Sequence, residues 1–261
     1  MIRLPMISAL LLLAATAQAA FDPLDYRLVD LSHAYGENTL YWPTSPTAFE
    51  KETLAYGDSG GGYFYSAYSV CTPEHGGTHL DAPVHFADGG LTTDELPLHN
   101  LVAPAVVIDV SEQSASDRDY RVNVADIEQF EREHGRIASG AIVLVRTNWS
   151  DHWPDAMGYL GDDTPGDASR LSFPGFGADA VRLLAEDRQV AMLGIDTASI
   201  DYGKSQDFIA HRIGAAAGVA NLENLTNLAE LPPTGSIVMA LPMKIEGGSG
   251  GPVRVVALIP R

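Results

Sequence analysis

Cysteine is almost absent from this chain: Cys71 is the only one among 261 residues, so no intramolecular disulfide is available to stabilise the fold. Basic residues are also scarce, since 16 lysines and arginines stand against 34 aspartates and glutamates, for a formal net charge of −18. A surface of this sign repels nucleic acids and anionic lipid headgroups. We therefore expect a protein that depends on its hydrophobic core for stability and has no nucleic-acid partner.

A repeated motif and a long apolar run are missing as well. No period of roughly 20–50 residues recurs, which argues against a solenoid or a propeller. The apolar run Ile7–Ala15 is about half as long as the roughly 20 residues that cross a bilayer. It follows Arg3 and precedes the small-x-small sequence Ala17-Gln18-Ala19, which is typical of a secretory signal peptide. We therefore expect residues 1–19 to be a signal peptide, the mature protein to be secreted or periplasmic, and no stable membrane anchor to remain after cleavage.

Residues 20–261 are long enough for one domain with a well-buried core. Apolar residues spaced by three after Asn123, with Gly135 behind them, predict an amphipathic helix, and Ala178–Arg188 predicts a second one. The alternation of such helices with apolar runs indicates a single α/β domain. Five aliphatic or β-branched runs predict buried central strands: Ala105–Val110, Ala141–Val145, Val190–Ile195, Ile237–Leu241 and Val253–Ile259.

Two further segments frame the region that carries chemistry. Tyr63–Val70 is rich in aromatic and β-branched residues, which predicts a strand that leads into the histidine cluster described next. Gly158–Phe176 is dense in glycine, proline, aspartate and serine, which predicts a long loop, and we place it over the functional site as a hypothesis.

The strongest functional signal is the segment Glu74–His85, which contains His75, His79, Asp81 and His85 within eleven positions. Neutral imidazole nitrogens and a carboxylate are the ligands that Zn²⁺ or Mn²⁺ prefers. In an extended chain His79, Asp81 and His85 would share one face, because side chains alternate with a period of two. The two glycines after His75 would let the backbone bend that residue back toward the others. The spacing therefore predicts a metal site.

A second region is a weaker signal when it is taken alone. His211 lies among small apolar residues and Glu223 follows it by twelve positions. A lone histidine in such a setting is more often a core residue than a ligand, and Glu223 is also compatible with the first turn of a helix. The remaining histidines lack a second ligand at a metal-binding spacing: His33, His99, His134 and His152.

The glycine-rich segment Gly247–Gly251 formally fits the serine-hydrolase elbow with Ser249 as the nucleophile. That elbow requires a helix after the serine, whereas Pro252 and a strand-like run follow here. We therefore interpret the segment as a turn.

The histidine segment resembles the His-x-Gly-Thr-His-x-Asp-x-Pro-x-His signature of the cyclase-like metal hydrolases, which include bacterial kynurenine formamidases and isatin hydrolases. The resemblance extends over essentially the whole mature chain. It implies a mixed β-sheet core, partly barrel-like and wrapped by helices, and an assembly into a homodimer or homotetramer. Four more segments carry the resemblance: Asp30–Ser32, Tyr41–Pro43, Gly194–Asp201 and Leu241–Ile245.

Position by position, the resemblance implies that His75, His79 and Asp81 are metal ligands and that His85 is the proton-transfer residue. His211 and Glu223 fall where the formamidases complete a second metal site, with Asp81 as the bridge. Proteins similar to the isatin hydrolases work with a single Mn²⁺ instead. The expected cofactor is therefore Zn²⁺ or Mn²⁺, one or two ions per chain.

Aromatic residues near the cluster suggest the substrate class. Trp42 matches an aromatic residue that lines the substrate pocket in the family that the chain resembles, and Phe64 is a second candidate for substrate binding. Other aromatic residues in these regions could add to a flat apolar slot, although many such residues fill cores instead. They are Tyr41, Tyr63, Tyr65 and Phe86.

Together these observations favour a metal-dependent hydrolase of a small aromatic amide, similar to kynurenine formamidase. A bound divalent cation lowers the pKa of its water to about 7, and His85 would move a proton to the leaving nitrogen. Export counts against a dedicated role in the cytoplasmic breakdown of tryptophan. Two alternatives stay open: opening of a cyclic amide or lactone as in isatin hydrolases, and a metal-dependent binding protein without catalysis.

Overall fold

The computed structural model describes residues 22–261, so the predicted signal peptide lies outside the described residues. Within the described part, no helix has the length and apolar character needed to span a bilayer. Twelve strands form there: β1 (Tyr26–Asp30), β2 (Glu50–Asp58), β3 (Phe64–Cys71), β4 (His79–Asp81), β5 (Val102–Asp109), β6 (Arg121–Val122), β7 (Ile142–Arg146), β8 (Gly175–Phe176), β9 (Met192–Ile195), β10 (Ala220–Glu223), β11 (Ser236–Pro242) and β12 (Gly250–Pro260).

Helices connect these strands and cover the sheet. The α-helices are α1 (Leu98–Leu101), α2 (Ser111–Ser116), α3 (Val124–His134), α4 (Ala156–Leu160), α5 (Ala178–Arg182) and α6 (Ile209–Ala216). Short 3₁₀ helices lie at Pro23–Asp25, Pro83–His85, Trp149–His152 and Leu228–Glu230, and a π-helical turn at Leu183–Asp187 continues α5.

One eight-stranded mixed sheet forms the centre of the fold, in the order β1-β12-β11-β5-β7-β9-β10-β4. Strands β5, β7, β9 and β10 run parallel, and the other pairs are antiparallel. Because β4 pairs with both β10 and β12, seven of the strands close into a barrel and β1 adds to its outside edge. The expected mixed, partly barrel-like sheet is confirmed, and all five predicted strands lie in it.

The core lies on both sides of this sheet. Ile142 and Leu144 of β7 pack into one apolar cluster, while Val143 and Val145 pack into another that includes Ile127 of α3. These four side chains are fully buried, and only Arg146 at the end of β7 is polar. A strand covered on both faces has no polar side, which explains why residues 142–145 form an uninterrupted apolar run.

The helix predicted behind Asn123 is confirmed as α3. Asn123 and Asp126 form a reciprocal capping box, which satisfies backbone donors at the start of the helix. Gly135, with φ of 92°, ends it. The second predicted helix is also present, as α5 and its π-helical continuation.

Strands β2 and β3 form a two-stranded ribbon apart from the main sheet. The predicted strand Tyr63–Val70 corresponds to β3. Nearly every residue of the ribbon is exposed, including Cys71 and several large apolar side chains. The homodimer or homotetramer implied by the resemblance stays a prediction.

The segment 158–176 is less irregular than its composition predicts. It begins within α4 and ends with β8, and turns lie between them. Arg170 bonds to the Asp162 carboxylate and the Thr164 hydroxyl, which ties the middle of the segment together.

Candidate metal centre

The barrel closure brings two distant parts of the sequence together. Strand β4 lies between β10 and β12, and the antiparallel register with β10 sets His79 opposite Glu223. Helix α6, which directly precedes β10, carries His211. The topology of the barrel therefore assembles residues that are more than 100 positions apart in the sequence.

His75 reaches this point through a sharp bend of the backbone. Gly76 has φ of 147°, and a Cβ built there would lie 2.1 Å from the ring of Tyr41. Only glycine fits such a position, since it combines an unusual φ with a ring packed against the backbone. The bend turns the His75 side chain back, so that its Nδ1 lies 2.7 Å from Oδ1 of Asp81, as the sequence predicts.

Two groups of potential ligands share Asp81. The first is His75, His79 and Asp81, and the second is Asp81, His211 and Glu223, each with its donor atoms within 4.8 Å of one another. Oδ1 of Asp81 lies 3.2 Å from Nε2 of His79, and its Oδ2 lies 3.2 Å from Nε2 of His211. Glu223 Oε1 completes the second group at 3.0 Å from Nε2 of His211. The structure thus brings together all five residues predicted as ligands.

Each of the three histidines has one ring nitrogen held by a group outside the cluster. Nδ1 of His79 donates to the Gly77 carbonyl at 2.9 Å, and Nδ1 of His211 donates to Oδ2 of Asp201 at 2.7 Å. Nε2 of His75 lies 2.8 Å from the Ser249 hydroxyl. Such bonds fix the tautomer and leave the other nitrogen free to bind a metal.

Negative charge dominates the centre. Burial alone would lower the pKa of His79, but the Asp81 and Glu223 carboxylates outweigh it and raise that pKa to about 9. The pKa of His211 is also raised well above its usual value, because Asp201, Asp81 and Glu223 outweigh burial. A site that holds positive charge this strongly suits a divalent cation, and its imidazole and carboxylate donors suit Zn²⁺ or Mn²⁺.

His85 lies beside the two groups and belongs to neither. The strand ends at Asp81, so the expectation that an extended chain presents His85 is wrong: the 3₁₀ turn Pro83–His85 carries it instead. The strand gives way to a turn because Pro83 has no backbone N–H to donate to a neighbouring strand. The ring of His85 stacks on that of His75 with centroids 3.8 Å apart, and burial lowers its pKa to about 4. His85 is therefore neutral at neutral pH.

The centre opens into a cavity of about 270 Å³. Trp42 lines it as predicted, and the ring centroids of Phe86 and Phe208 lie 5.4 Å apart on its wall. Phe64 does not line it: that side chain lies on the β2–β3 ribbon and is 62% exposed. Tyr63, directly before β3, and Tyr65, within β3, are also exposed. Leu160, at the start of the predicted loop, is part of the lining.

Sequence reasoning assigned no role to three residues that contact the centre. Phe208 precedes His211 by one helical turn, a spacing that could have placed it nearby. Asp201 binds the first backbone amides of α6 as well as the His211 ring, and an acidic residue ahead of a helix could have indicated this. Ser249 has no such local signal, because only the pairing of β4 with β12 brings it to His75.

The mixed barrel and its buried cluster of histidines and carboxylates identify the class of this protein as a metal-dependent hydrolase. Residues 29–202 match the family model described as "Putative cyclase". The chain belongs to this cyclase family of metal-dependent hydrolases.

Relatives and solved structures agree with this assignment. The isatin hydrolase of Roseibium aggregatum is 34% identical, over 94% of this chain and 99% of its own length, and the kynurenine formamidase of Salinibacter ruber is 32% identical over 88% and 96%. The structure of isatin hydrolase A from Labrenzia aggregata bound to benzyl benzoate superposes with a TM-score of 0.83, at 33% identity over 91% of this chain and 95% of that one. An isatin hydrolase bound to the product analogue thioisatinate gives 0.80, at 31% identity over 91% and 94%.

Proposed function

We propose that the protein hydrolyses the C–N bond of a small, neutral, cyclic aromatic amide of the isatin type. The observation that carries the proposal is the cavity, where the cluster around Asp81 meets a wall formed by Trp42, Phe86 and Phe208. Flat rings stack on such a wall, and polar groups at one end orient the bond to be cleaved. The match to an isatin hydrolase over 94% of the chain supports the same substrate class.

The charge of the lining favours a neutral cyclic amide over N-formylkynurenine. No lysine or arginine is among the described residues that line the cavity, whereas the Asp81 and Glu223 carboxylates are. The carboxylate of an amino-acid substrate would therefore find no lysine or arginine side chain there to pair with. N-formylkynurenine is the second candidate, which is supported by the match to a kynurenine formamidase at 32% identity.

The side chains divide the chemistry between them. We assign His75, His79, Asp81, His211 and Glu223 as ligands, and a divalent cation held there supplies an acidified water and polarises the amide carbonyl. His85 is neutral, so it can accept a proton from the attacking water and deliver it to the nitrogen as the C–N bond breaks. In a cyclic amide the amine stays attached to the product, which gains a carboxylate. The apolar wall limits access of bulk water to this proton transfer.

The test compares the two substrates on the purified mature protein with added Mn²⁺ or Zn²⁺. We expect kcat/KM for isatin to exceed that for N-formylkynurenine. A His79→Ala protein is the control for spontaneous ring opening, because it retains the aromatic wall. A higher kcat/KM for N-formylkynurenine would instead assign the protein a formamidase activity. No turnover of either compound would favour a metal-dependent binding protein without catalysis.

We also propose that the protein is exported. The sequence Ala17-Gln18-Ala19 after the apolar run supports this, and we expect mature protein from the native host to begin at or near Ala20. N-terminal sequencing measures it directly. A product that retains Met1 in the cytoplasm would contradict the proposal.

A further inference from the structure

His75 is the most accessible of the three clustered histidines. Its side chain is 27% exposed, compared with 4% for those of His79 and His211. A backbone carbonyl two residues away holds His79, whereas His75 is held from a turn that is 174 positions distant in the sequence. The geometry of this ligand therefore depends on the C-terminal part of the chain.

A continuous chain of hydrogen bonds runs outward from His75. The Ser249 hydroxyl donates to Oε2 of Glu74 at 2.6 Å, and the Ser249 amide donates to the same oxygen at 3.0 Å. Because the hydroxyl proton is used on Glu74, the hydroxyl oxygen accepts from Nε2 of His75 at 2.8 Å. This direction leaves Nδ1 of His75 without a proton and aimed at Asp81.

The turn that carries Ser249 is also held by hydrogen bonds that do not involve His75 or Glu74. The Thr93 hydroxyl donates to the carbonyls of Gly248 and Gly250 at 3.0 and 3.2 Å. Gly250 also makes room for the ligand, since a Cβ there would lie 2.6 Å from Cε1 of His75. The segment Gly247–Gly251, which formally fits a serine-hydrolase elbow in sequence, is thus a turn that packs against His75.

We propose that Glu74 and Ser249 are positioning residues that fix the tautomer and ring orientation of His75 as a metal ligand. Glu74 supplies negative charge through the Ser249 hydroxyl, which makes Nδ1 of His75 a better donor. Neither residue is among the described residues that line the cavity. The inference rests on the proposed function only in taking His75 as a ligand.

Metal affinity is the readout that separates positioning from general stability. Mn²⁺ titration of the metal-free full-length mature protein is compared for wild type, Ser249→Ala, Glu74→Ala and Glu74→Gln. We expect Ser249→Ala and Glu74→Ala each to weaken the tightest Mn²⁺ site by about 10–100-fold, the usual effect of losing an outer partner of a histidine ligand. Glu74→Gln keeps an acceptor oxygen for Ser249 and should fall between wild type and Glu74→Ala.

The double variant Glu74→Ala/Ser249→Ala provides the decisive comparison. If Glu74 acts through Ser249, the double variant should bind Mn²⁺ no more weakly than Ser249→Ala alone. The reason is that Glu74 then reaches His75 only through the Ser249 hydroxyl, so its effect is already lost when Ser249 is removed. Thr93→Val is the matched control: it removes bonds to the same turn without touching His75, and it should retain the affinity of wild type. Circular dichroism of each variant reports folding.

The outcomes separate the inference from the proposed function. A wild-type protein that binds no Mn²⁺ would overturn both. A wild type that binds while Ser249→Ala binds equally well would overturn the inference alone. Additive losses in the double variant, or an equal loss in Thr93→Val, would also overturn it, because the effect would then come from the turn as a whole.

Discussion

Replacing His85 with alanine is expected to leave the metal content unchanged and to lower kcat by about 10²–10⁴-fold, the usual effect of losing a positioned acid or base. His85 stacks on His75 but belongs to neither group of potential ligands among the described residues. Its burial keeps it neutral, so it can accept a proton near the reacting bond. Elemental analysis and steady-state kinetics on the same preparation measure both quantities.

His79→Ala is the matched control for this prediction. Both substitutions remove an imidazole from the same segment, but Nε2 of His79 faces Asp81 and Glu223 at 3.2 and 3.5 Å. We therefore expect His79→Ala to lose metal and activity together. Equal loss of metal in the two variants would make His85 a ligand and remove its assignment as the proton carrier.

The parts of the fold that sequence predicts best are those in which burial dictates composition. Strand β7 is apolar from Ile142 to Val145 because both of its faces are covered there, and it was predicted almost to its ends. Strand β10 was missed, since Ala220–Glu223 has no β-branched residue and two of its four side chains, Asn221 and Glu223, are polar. Its strand conformation depends on pairing with β9 and β4, which are distant in sequence.

The same distinction applies to the centre. Local spacing predicts that His75, His79 and Asp81 converge, and the bend at Gly76 makes that convergence possible. The position of Glu223 follows from a strand register, so the sequence alone left it compatible with an ordinary helical acid. Phe64 illustrates the opposite error, since closeness in sequence to the cluster did not bring it to the cavity.

Asp81 is the residue on which the whole centre depends. It is 2% exposed, and its two oxygens face different histidines, with His75 and His79 near Oδ1 and His211 near Oδ2. A carboxylate placed in this way can bridge two cations, and bridging carboxylates offset the repulsion between ions in two-metal hydrolytic sites. Glu223 supplies a second, separate negative charge on the His211 side.

We therefore expect Asp81→Asn to lose all bound metal and to reduce activity to the uncatalysed background, since both ligand groups contain this carboxylate. The matched variant Glu223→Gln changes the same functional group in only one of the two groups. It should lose one ion and keep the other, so that elemental analysis gives a stoichiometry of about two in wild type, one in Glu223→Gln and none in Asp81→Asn. Circular dichroism shows whether each variant is folded.

A wild-type protein that saturates at one ion per chain, with the stoichiometry of Glu223→Gln unchanged, would mean that Glu223 holds no ion. The cluster would then be a one-metal site in which the Ile200 amide, 2.8 Å from Oε1, and the His211 ring hold Glu223 as a structural carboxylate.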